Sequence, residues 1–241
     1  QQICNSILEK VQPLLEYFGK TKKEKETHEL NGPSKLKFQL IEIETELDEL
    51  NKELMDKYNL SRDFKTIHRL GSSVFGELYQ VFDSSKKIFY TKKMISQPEL
   101  VDFEYHALKE IKALVTLIRA ENPNLLEIYN INYVPQKSLC VLMEYGKGTL
   151  YCYNQFRKIN KIYWKEHELT FIANEVLSQM KELKKIGIYH RDIKPVNIII
   201  TDKFKFKLTD FGIAETIDEK DRLKTTHLIR PSGSPSYWAP E

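Results

Sequence analysis

The sequence predicts an α+β fold in which a helical N-terminal segment precedes a β-rich region and then a mostly helical region. Three observations lead to this prediction. Residues 1–60 carry apolar side chains at helical spacing. From about Phe64 to Tyr145, short strand-like runs surround one main helical stretch. From Gly146 onward the pattern is mostly helical until a polar loop. Strands and helices in separate runs are typical of α+β proteins.

The composition is that of an ordinary globular chain. The 241 residues are 41% hydrophobic, and 37 basic side chains nearly balance 34 acidic ones, so we expect no nucleic-acid partner. No apolar run approaches the roughly 18–20 residues that span a bilayer, so we expect no membrane partner. Cys4, Cys140 and Cys152 are scattered. They predict reduced thiols of a cytoplasmic protein, with a nuclear location left open.

The helical segment 1–60 contains a leucine-rich seam. Its apolar residues alternate at spacings of four and three, like the a and d positions of a heptad. These residues are Leu36, Leu40, Ile43, Leu47, Leu50 and Leu54. The seam is shorter than three heptads, and two interpretations stay open. The helix either lays its apolar face on the next domain or self-associates as a short coiled coil over residues 36–54.

Two motifs in the second half of the chain carry chemistry. Residues 190–197 read His-Arg-Asp-Ile-Lys-Pro-Val-Asn, and residues 210–212 read Asp-Phe-Gly. Asp192 can orient an attacking hydroxyl and accept its proton. Asn197 and Asp210 offer the oxygen ligands that magnesium prefers. The two motifs together predict a site for phosphoryl transfer.

These motifs resemble the catalytic loop and the Asp-Phe-Gly turn of the eukaryotic protein kinases. The resemblance covers about three quarters of the chain. It implies a two-lobed kinase domain at 61–241, with the β-rich N-lobe at about 61–145 and a partial C-lobe at 146–241. It also implies ATP and Mg²⁺ as cofactors. The family continues with further helices after the motif that ends at Glu241. We therefore expect a truncated C-lobe, exposed apolar surface, weak stability and little activity for this stretch alone.

Residues 70–78 resemble the glycine-rich loop of the family and read Leu-Gly-Ser-Ser-Val-Phe-Gly-Glu-Leu. The resemblance implies that Gly71 and Gly76 let backbone N–H groups approach the phosphates of ATP. The chain departs from the family pattern at two positions. Ser73 stands in place of the middle glycine, and Leu78 in place of the valine that packs on the adenine.

The strand at 89–95 resembles the family's third strand, which carries the lysine of the nucleotide site. Lys92 and Lys93 are adjacent, and the two-residue alternation of a strand distinguishes them. Choosing Lys93 places the small residue Thr91 on the same face, whereas choosing Lys92 places bulky Tyr90 against the adenine. The sequence therefore favours Lys93.

Further residues of the ATP site follow from the resemblance. Glu110 lies in the following helical stretch and is the expected partner of the lysine, with Glu104 as the alternative. The apolar run that ends near residue 145 resembles the strand before the hinge between the lobes. Met143 then takes the gatekeeper position at the back of the adenine pocket. The backbone from Glu144 to Gly146 would hydrogen-bond the adenine edge.

Two features imply that the acceptor is a serine or threonine hydroxyl. Lys194 follows Asp192 by two residues, and in the Ser/Thr kinases that this chain resembles such a lysine contacts the transferred phosphate. Residues 233–241 resemble the family's Gly-Thr-x-x-Tyr-x-Ala-Pro-Glu segment, and Ser234 holds the threonine position. The expected partners are therefore protein substrates that bear Ser or Thr.

Arg191, directly before Asp192, suggests control by phosphorylation. A cation beside the catalytic carboxylate can be paired by a phosphorylated side chain from the activation segment at 213–238, which would order that segment. The candidates are Thr225, Thr226 and Ser232, and we expect Thr226 or Ser232 to be modified.

The sequence thus predicts the catalytic domain of an ATP- and magnesium-dependent Ser/Thr protein kinase. A pseudokinase or ATP-binding regulatory module is an alternative, suggested by Ser73 and the short C-lobe. Another alternative is an interaction or scaffold protein that dimerises through the 36–54 helix. Against the pseudokinase, the site set is complete, comprising Lys93, Glu110, Asp192, Asn197 and Asp210.

Overall fold

A computed structural model describes residues 33–61, 63–73, 76–96, 102–217 and 232–238. The chain divides into two compact units, residues 1–43 and residues 44–241. Helix α1 spans Pro33–Tyr58, and the part of the predicted helical segment before it lies outside the described residues. No helix among the described residues is both long and apolar enough to cross a bilayer.

An antiparallel sheet forms the N-lobe. Its strands are β1 (Phe64–Ser73), β2 (Gly76–Asp83), β3 (Ile88–Ile95), β4 (Ile128–Val134) and β5 (Ser138–Glu144), in the order β1-β2-β3-β5-β4. Helix α2 (Phe103–Ala120) connects β3 to β4 and buries an apolar stripe that includes Ile111 and Leu114. Leu139, Val141 and Met143 of β5 are buried on one face of the sheet, and Leu142 is buried on the other.

Short strands and two helices form the described part of the C-lobe. They are β6 (Gly148–Thr149), α3 (Leu150–Ile159), α4 (Glu166–Lys185), β7 (Ile188–Tyr189), β8 (Ile198–Ile200), β9 (Phe206–Leu208) and β10 (Glu215–Thr216). Strands β6, β8 and β9 form one sheet, and β7 pairs with β10. The loop 190–197 runs between β7 and β8 and ends in a short 3₁₀ turn. These small sheets therefore hold both ends of the polar loop.

The predicted α+β, two-lobed fold is confirmed, with a β-sheet N-lobe followed by helices. Apolar side chains on and between α3 and α4 lie at the surface, as the sequence led us to expect. Those at least half exposed are Phe156, Ile159, Tyr163, Leu169, Phe171 and Leu177.

The second half of α1 packs on the N-lobe. Leu47, Leu50 and Leu54 are buried, so this part of the seam follows the packing interpretation. Asn51 makes the most specific contact, because its Nδ2 donates to the carbonyl of Ile131 at 2.7 Å and its Oδ1 accepts from the amide of Ile131 at 3.1 Å. Self-association of the 36–54 helix stays a prediction.

Replacing Asn51 with alanine is expected to lower the free energy of unfolding by about 1–2 kcal/mol, because both backbone groups of Ile131 lose their partner. The better helix propensity of alanine offsets a few tenths of that loss. Urea unfolding measures the difference. The matched control is Asn132→Ala, an exposed asparagine on the same strand, and equal stability of the two variants would contradict the assigned role.

Candidate active site

Lys93 lies at the centre of a buried cluster of charges. Its Nζ donates to Glu110 Oε1 at 2.6 Å and to Asp210 Oδ1 at 2.9 Å, and 2% of its side chain is exposed. Helix α2 carries Glu110. Burial alone would lower the pKa of Lys93, but the two carboxylates outweigh it and raise the pKa above its usual value. Lys93 is therefore a fixed positive charge.

The alternatives Lys92 and Glu104 lie elsewhere. Because strand residues alternate between faces, Lys92 points away from this cluster and lines a cavity of about 280 Å³ on the other face of the sheet. Glu104 accepts a hydrogen bond from the hydroxyl of Tyr133. The pair that the structure brings together is thus Lys93 and Glu110.

The other predicted ATP-site residues of the sheet share the face of Lys93. Leu78 on β2 is the cross-strand partner of Lys93, and Met143 on β5 is the partner of Thr91. Cross-strand partners lie on the same face of a sheet. The structure therefore places Leu78, Thr91, Lys93 and Met143 on one surface.

The two predicted glycines of the loop have different surroundings. A Cβ on Gly71 would meet nothing within 4 Å, whereas a Cβ on Gly76 would lie 2.3 Å from the carbonyl oxygen of Met94. Gly76 is thus required by the pairing of β2 with β3, and Gly71 leaves open space above the site. Ser73 ends β1 opposite Gly76, and the tip between them lies outside the described residues.

The predicted hinge is fixed by contacts from two sides. The amide of Glu144 donates to the carbonyl of Glu127 at 2.9 Å, and its Oε2 accepts from Lys207 Nζ at 2.6 Å. A Cβ on Gly146 would lie 2.7 Å from the Cβ of Ile199, so the hinge backbone packs directly on β8. Lys207 was not expected from the sequence, because no motif surrounds it.

Asp192 is held by hydrogen bonds on both carboxylate oxygens. Its Oδ1 accepts from the amide and Oγ of Ser234 at 3.0 and 2.9 Å. Its Oδ2 accepts from Lys194 Nζ at 2.7 Å and from Asn197 Nδ2 at 3.0 Å. Burial alone would raise the pKa of Asp192, but these hydrogen bonds and the charge of Lys194 hold it below its ordinary value. The carboxylate is therefore ionised and oriented at neutral pH.

Gly233 lets the segment 232–234 dock on the catalytic loop. It adopts φ +97°, and a Cβ there would lie 2.2 Å from the carbonyl oxygen of Arg191. Only glycine fits this approach without strain. Arg191 and Asp210 themselves have φ values of 68° and 65°, and such left-handed non-glycine residues cluster at functional sites.

Asp210 and Asn197 are the predicted metal ligands. Burial alone would raise the pKa of Asp210, but Lys93 outweighs it and lowers the pKa. The Nδ2 of Asn197 is engaged by Asp192, so its Oδ1 is the atom suited to a cation. No cluster of three or more His, Cys, Asp or Glu side chains that could hold a metal occurs within the described residues. Asn197 and Asp210 together fit Mg²⁺, which proteins bind through one or two oxygen side chains plus phosphates.

One cavity connects these groups. It has a volume of about 210 Å³ and is lined by Asp192, Lys194, Asp210, Gly212, Ile213, Gly233 and Ser234. The predicted base, the predicted metal ligand and the serine of the activation segment thus face one space. Of the other activation-segment candidates, Ser232 is half-buried beside Gly233, and Thr225 and Thr226 lie outside the described residues.

His190 joins the catalytic loop to the residues around Asp210. Its Nε2 donates to the carbonyl of Thr209 at 2.9 Å, its Nδ1 accepts from the amide of Asp192 at 3.3 Å, and its ring packs on Phe211. These partners require the neutral imidazole with its proton on Nε2. Burial lowers the pKa of His190, which keeps the ring neutral.

The free energy of unfolding is expected to fall as the pH drops below about 6.5. There His190 is protonated in the unfolded chain but stays neutral in the folded chain. His190 contributes no such slope above that pH, because its ring is then neutral in both states. The carboxylates Asp192 and Asp210 have lowered pKa values, so their contribution is lost only at more acidic pH. Chemical unfolding between pH 7 and 5 measures the slope.

The matched variants for this test are His190→Gln and His167→Gln, the second at an exposed position. We expect the first substitution to flatten the slope and the second to leave it nearly unchanged. Equal slopes for the two variants would contradict a neutral, buried His190.

An ion pair of Glu215 with Arg191 and Lys109 was also not expected from the sequence. Glu215 Oε2 accepts from Arg191 Nη1 at 2.8 Å and from Lys109 Nζ at 3.0 Å. The resemblance implied that a phosphorylated side chain pairs Arg191. In the structure a carboxylate of the chain itself is its partner.

Comparison with known proteins identifies the family. The family model of the protein kinase domain matches residues 64–241. The chain is similar to the probable serine/threonine-protein kinase fhkA of Dictyostelium discoideum, at 31% identity over 77% of this chain and 31% of the relative. It is also similar to CBL-interacting protein kinase 28 of Oryza sativa subsp. japonica, at 25% identity over 78% of this chain and 40% of the relative.

A third relative is the cAMP-dependent protein kinase catalytic subunit of Dictyostelium discoideum, at 28% identity over 75% of this chain and 26% of the relative. The chain therefore spans about a third of the length of the curated relatives that it matches. The family match extends over the sheet, the Lys93–Glu110 pair and the catalytic loop. The chain belongs to the protein kinase domain family.

Proposed function

We propose that this chain carries the catalytic site of a protein kinase that transfers the γ-phosphoryl group of Mg-ATP to serine or threonine hydroxyls of proteins. The observation that carries the proposal is the shared cavity of Asp192, Lys194 and Asp210. In that space a base, a cation and a metal ligand face one another, which are the groups that phosphoryl transfer needs.

The residues present fit the nucleotide and its metal. Lys93 is a permanent cation held between Glu110 and Asp210, suited to phosphate oxygens. Asp210 lines the cavity, and Asn197 contacts Asp192, which also lines it. Both side chains offer hard oxygen ligands. Mg²⁺, when bound, supplies positive charge that neutralises the charge developing on the phosphoryl oxygens. Gly71 leaves space above the sheet for the phosphates.

Asp192 and Lys194 have different roles toward the acceptor hydroxyl and the transferred phosphoryl group. Asp192 is ionised, so it can orient the attacking hydroxyl and accept its proton as the new P–O bond forms. The bond between the γ-phosphorus and the bridging oxygen breaks at the same time, and ADP leaves with that bond's electron pair. Lys194 lies 2.7 Å from Asp192 Oδ2 and places a positive charge where the transferred phosphoryl group arrives. Electrostatic stabilisation by such fixed charges is a large part of enzymatic catalysis.

Ser234 supports a preference for serine and threonine. It hydrogen-bonds both Asp192 and Lys194, at 2.9 and 2.8 Å from its Oγ. This arrangement sets the depth at which an acceptor hydroxyl reaches Asp192. A short side chain suits this depth, whereas a tyrosine places its hydroxyl several ångströms farther from the backbone.

The test is transfer of labelled γ-phosphate from Mg-ATP to a mixed protein substrate, with the full-length protein and its Asp192→Asn variant. Acid hydrolysis of the products then identifies the labelled amino acid. We expect label on phosphoserine and phosphothreonine, and none above background for the variant. Label on phosphotyrosine alone would contradict the acceptor class.

Three other outcomes overturn the proposal. A folded protein that binds ATP without transferring phosphate would be a pseudokinase or regulatory module. A folded protein that does not bind ATP at all, measured by calorimetry, would support the scaffold alternative. Equal transfer by the wild type and Asp192→Asn would show that the activity comes from a contaminant or from another site.

A further inference from the structure

Glu215 is a charged residue that the proposed mechanism does not use. It lies on β10 opposite Tyr189 of β7, directly before the catalytic loop. Its Oε2 accepts from Arg191 Nη1 at 2.8 Å and from Lys109 Nζ at 3.0 Å. A single carboxylate oxygen thus joins cations from two separate elements, the catalytic loop and helix α2.

Each of these cations is the sequence neighbour of a site residue. Lys109 precedes Glu110, which holds Lys93 at 2.6 Å, and Arg191 precedes Asp192. Helix α2 is held by its own backbone hydrogen bonds, and the loop is held by the contacts of His190 and Asp192. Holding one residue of either element therefore limits the movement of the next. Glu215 therefore links the helix that orients Lys93 to the loop that carries the base.

The charges make this link sensitive to the loss of Glu215. Lys109 and Arg191 both lie within 3.0 Å of one oxygen, so without its negative charge two like charges would face each other. The side chains of Lys109, Arg191 and Glu215 are 27%, 18% and 30% exposed. Solvent therefore screens the repulsion only in part. Rotation of α2 would relieve it and would withdraw Glu110 from Lys93.

We propose that Glu215 is a positioning residue that couples helix α2 to the catalytic loop and supplies, from within the chain, the negative charge that Arg191 requires. The inference rests on the proposed kinase function. It implies that activity does not depend on a phosphate in the 213–238 segment. A modification at Thr226 or Ser232, if made, then acts by a route other than pairing Arg191.

The first test uses the full-length protein after phosphatase treatment, so that no added phosphate can replace the carboxylate. We expect the wild type to keep its kcat within about twofold. We expect Glu215→Gln to lower kcat about tenfold, with KM for ATP within about twofold, since Lys93 remains at the site. Glu215→Asp keeps the charge and should restore most of the lost kcat.

A double variant tests the route of the effect. If Glu215 acts through Lys109, the loss caused by Glu215→Gln shrinks when Lys109 is already methionine, because the repulsion is then gone. Additive losses for Glu215→Gln and Lys109→Met would overturn the coupling. A loss of kcat below twofold for Glu215→Gln would overturn the positioning role. Loss of wild-type activity on phosphatase treatment would overturn the phosphate independence.

Hydrogen exchange supplies a readout that does not need activity. We expect the backbone amides of α2 to exchange faster in Glu215→Gln than in the wild type and in Glu215→Asp. Unchanged α2 protection in a folded Glu215→Gln protein would contradict the link. If the wild type transfers no phosphate but Glu215→Gln still exchanges faster in α2 than the wild type does, only the proposed function is contradicted. The two failures are thereby distinguishable.

Discussion

Replacing Asp192 with asparagine is expected to lower kcat for phosphoryl transfer by about 10²–10⁴-fold, the contribution of a positioned general base. Asparagine has nearly the same shape, and its side-chain oxygen can still accept from the amide of Ser234. It cannot take the proton of the acceptor hydroxyl. Initial rates against ATP and protein substrate measure the loss, and KM for ATP should change little, because Lys93 and Asp210 remain.

The control for this substitution is Asp202→Asn, an exposed aspartate on the turn between β8 and β9. It changes the net charge by the same amount and should leave kcat near the wild-type value. Melting temperatures show whether Asp192→Asn stays folded. A folded variant that keeps more than a tenth of the wild-type kcat would mean that Asp192 is not the base.

Replacing Lys93 with methionine is expected to act on both activity and stability. Loss of the cation removes a fixed charge from the phosphate site, which typically lowers the rate by about 10²–10³-fold. The same change leaves Glu110, with 3% of its surface exposed, without its cation. Removing one partner of a buried ion pair costs about 3–5 kcal/mol of folding free energy. Steady-state kinetics and urea unfolding measure the two effects.

Two further variants separate these effects. Lys92→Met changes the neighbouring lysine on the opposite face and should have little effect on either quantity. Lys93→Met combined with Glu110→Leu removes both charges of the buried pair, so it should recover part of the stability without recovering activity. Asp210 still lacks the cation that it contacts in the wild type. Recovery of activity in the double variant would show that Lys93 has no part in the reaction.

Resemblance to the motifs of a known family predicted most of the site, and local periodicity settled one choice within it. Strand alternation distinguishes Lys93 from Lys92 because opposite faces of a sheet meet different surroundings. The order of strands and helices gave the fold class for the same reason, since the period of burial differs between the two elements. These predictions concern residues whose neighbours in the chain determine their orientation.

Other features depend on contacts between distant parts of the chain. Glu215 meets Lys109 across 106 residues and Arg191 across 24, and no local pattern marks either pair. The leucine seam of α1 is a similar case, because the same heptad spacing suits packing on a domain and packing on a second copy. Only the tertiary structure shows that Leu50 is buried within the chain's own fold.

The contact of Asn51 has a consequence for the behaviour of the protein at high concentration. Strand β4 lies at one edge of the N-lobe sheet, and an exposed edge offers its N–H and C=O groups to strands of other molecules. The side-chain amide of Asn51 hydrogen-bonds both the N–H and the C=O of Ile131, as a neighbouring strand would. Helix α1 thereby protects this edge, and loss of the helix would leave the kinase domain prone to edge-to-edge aggregation.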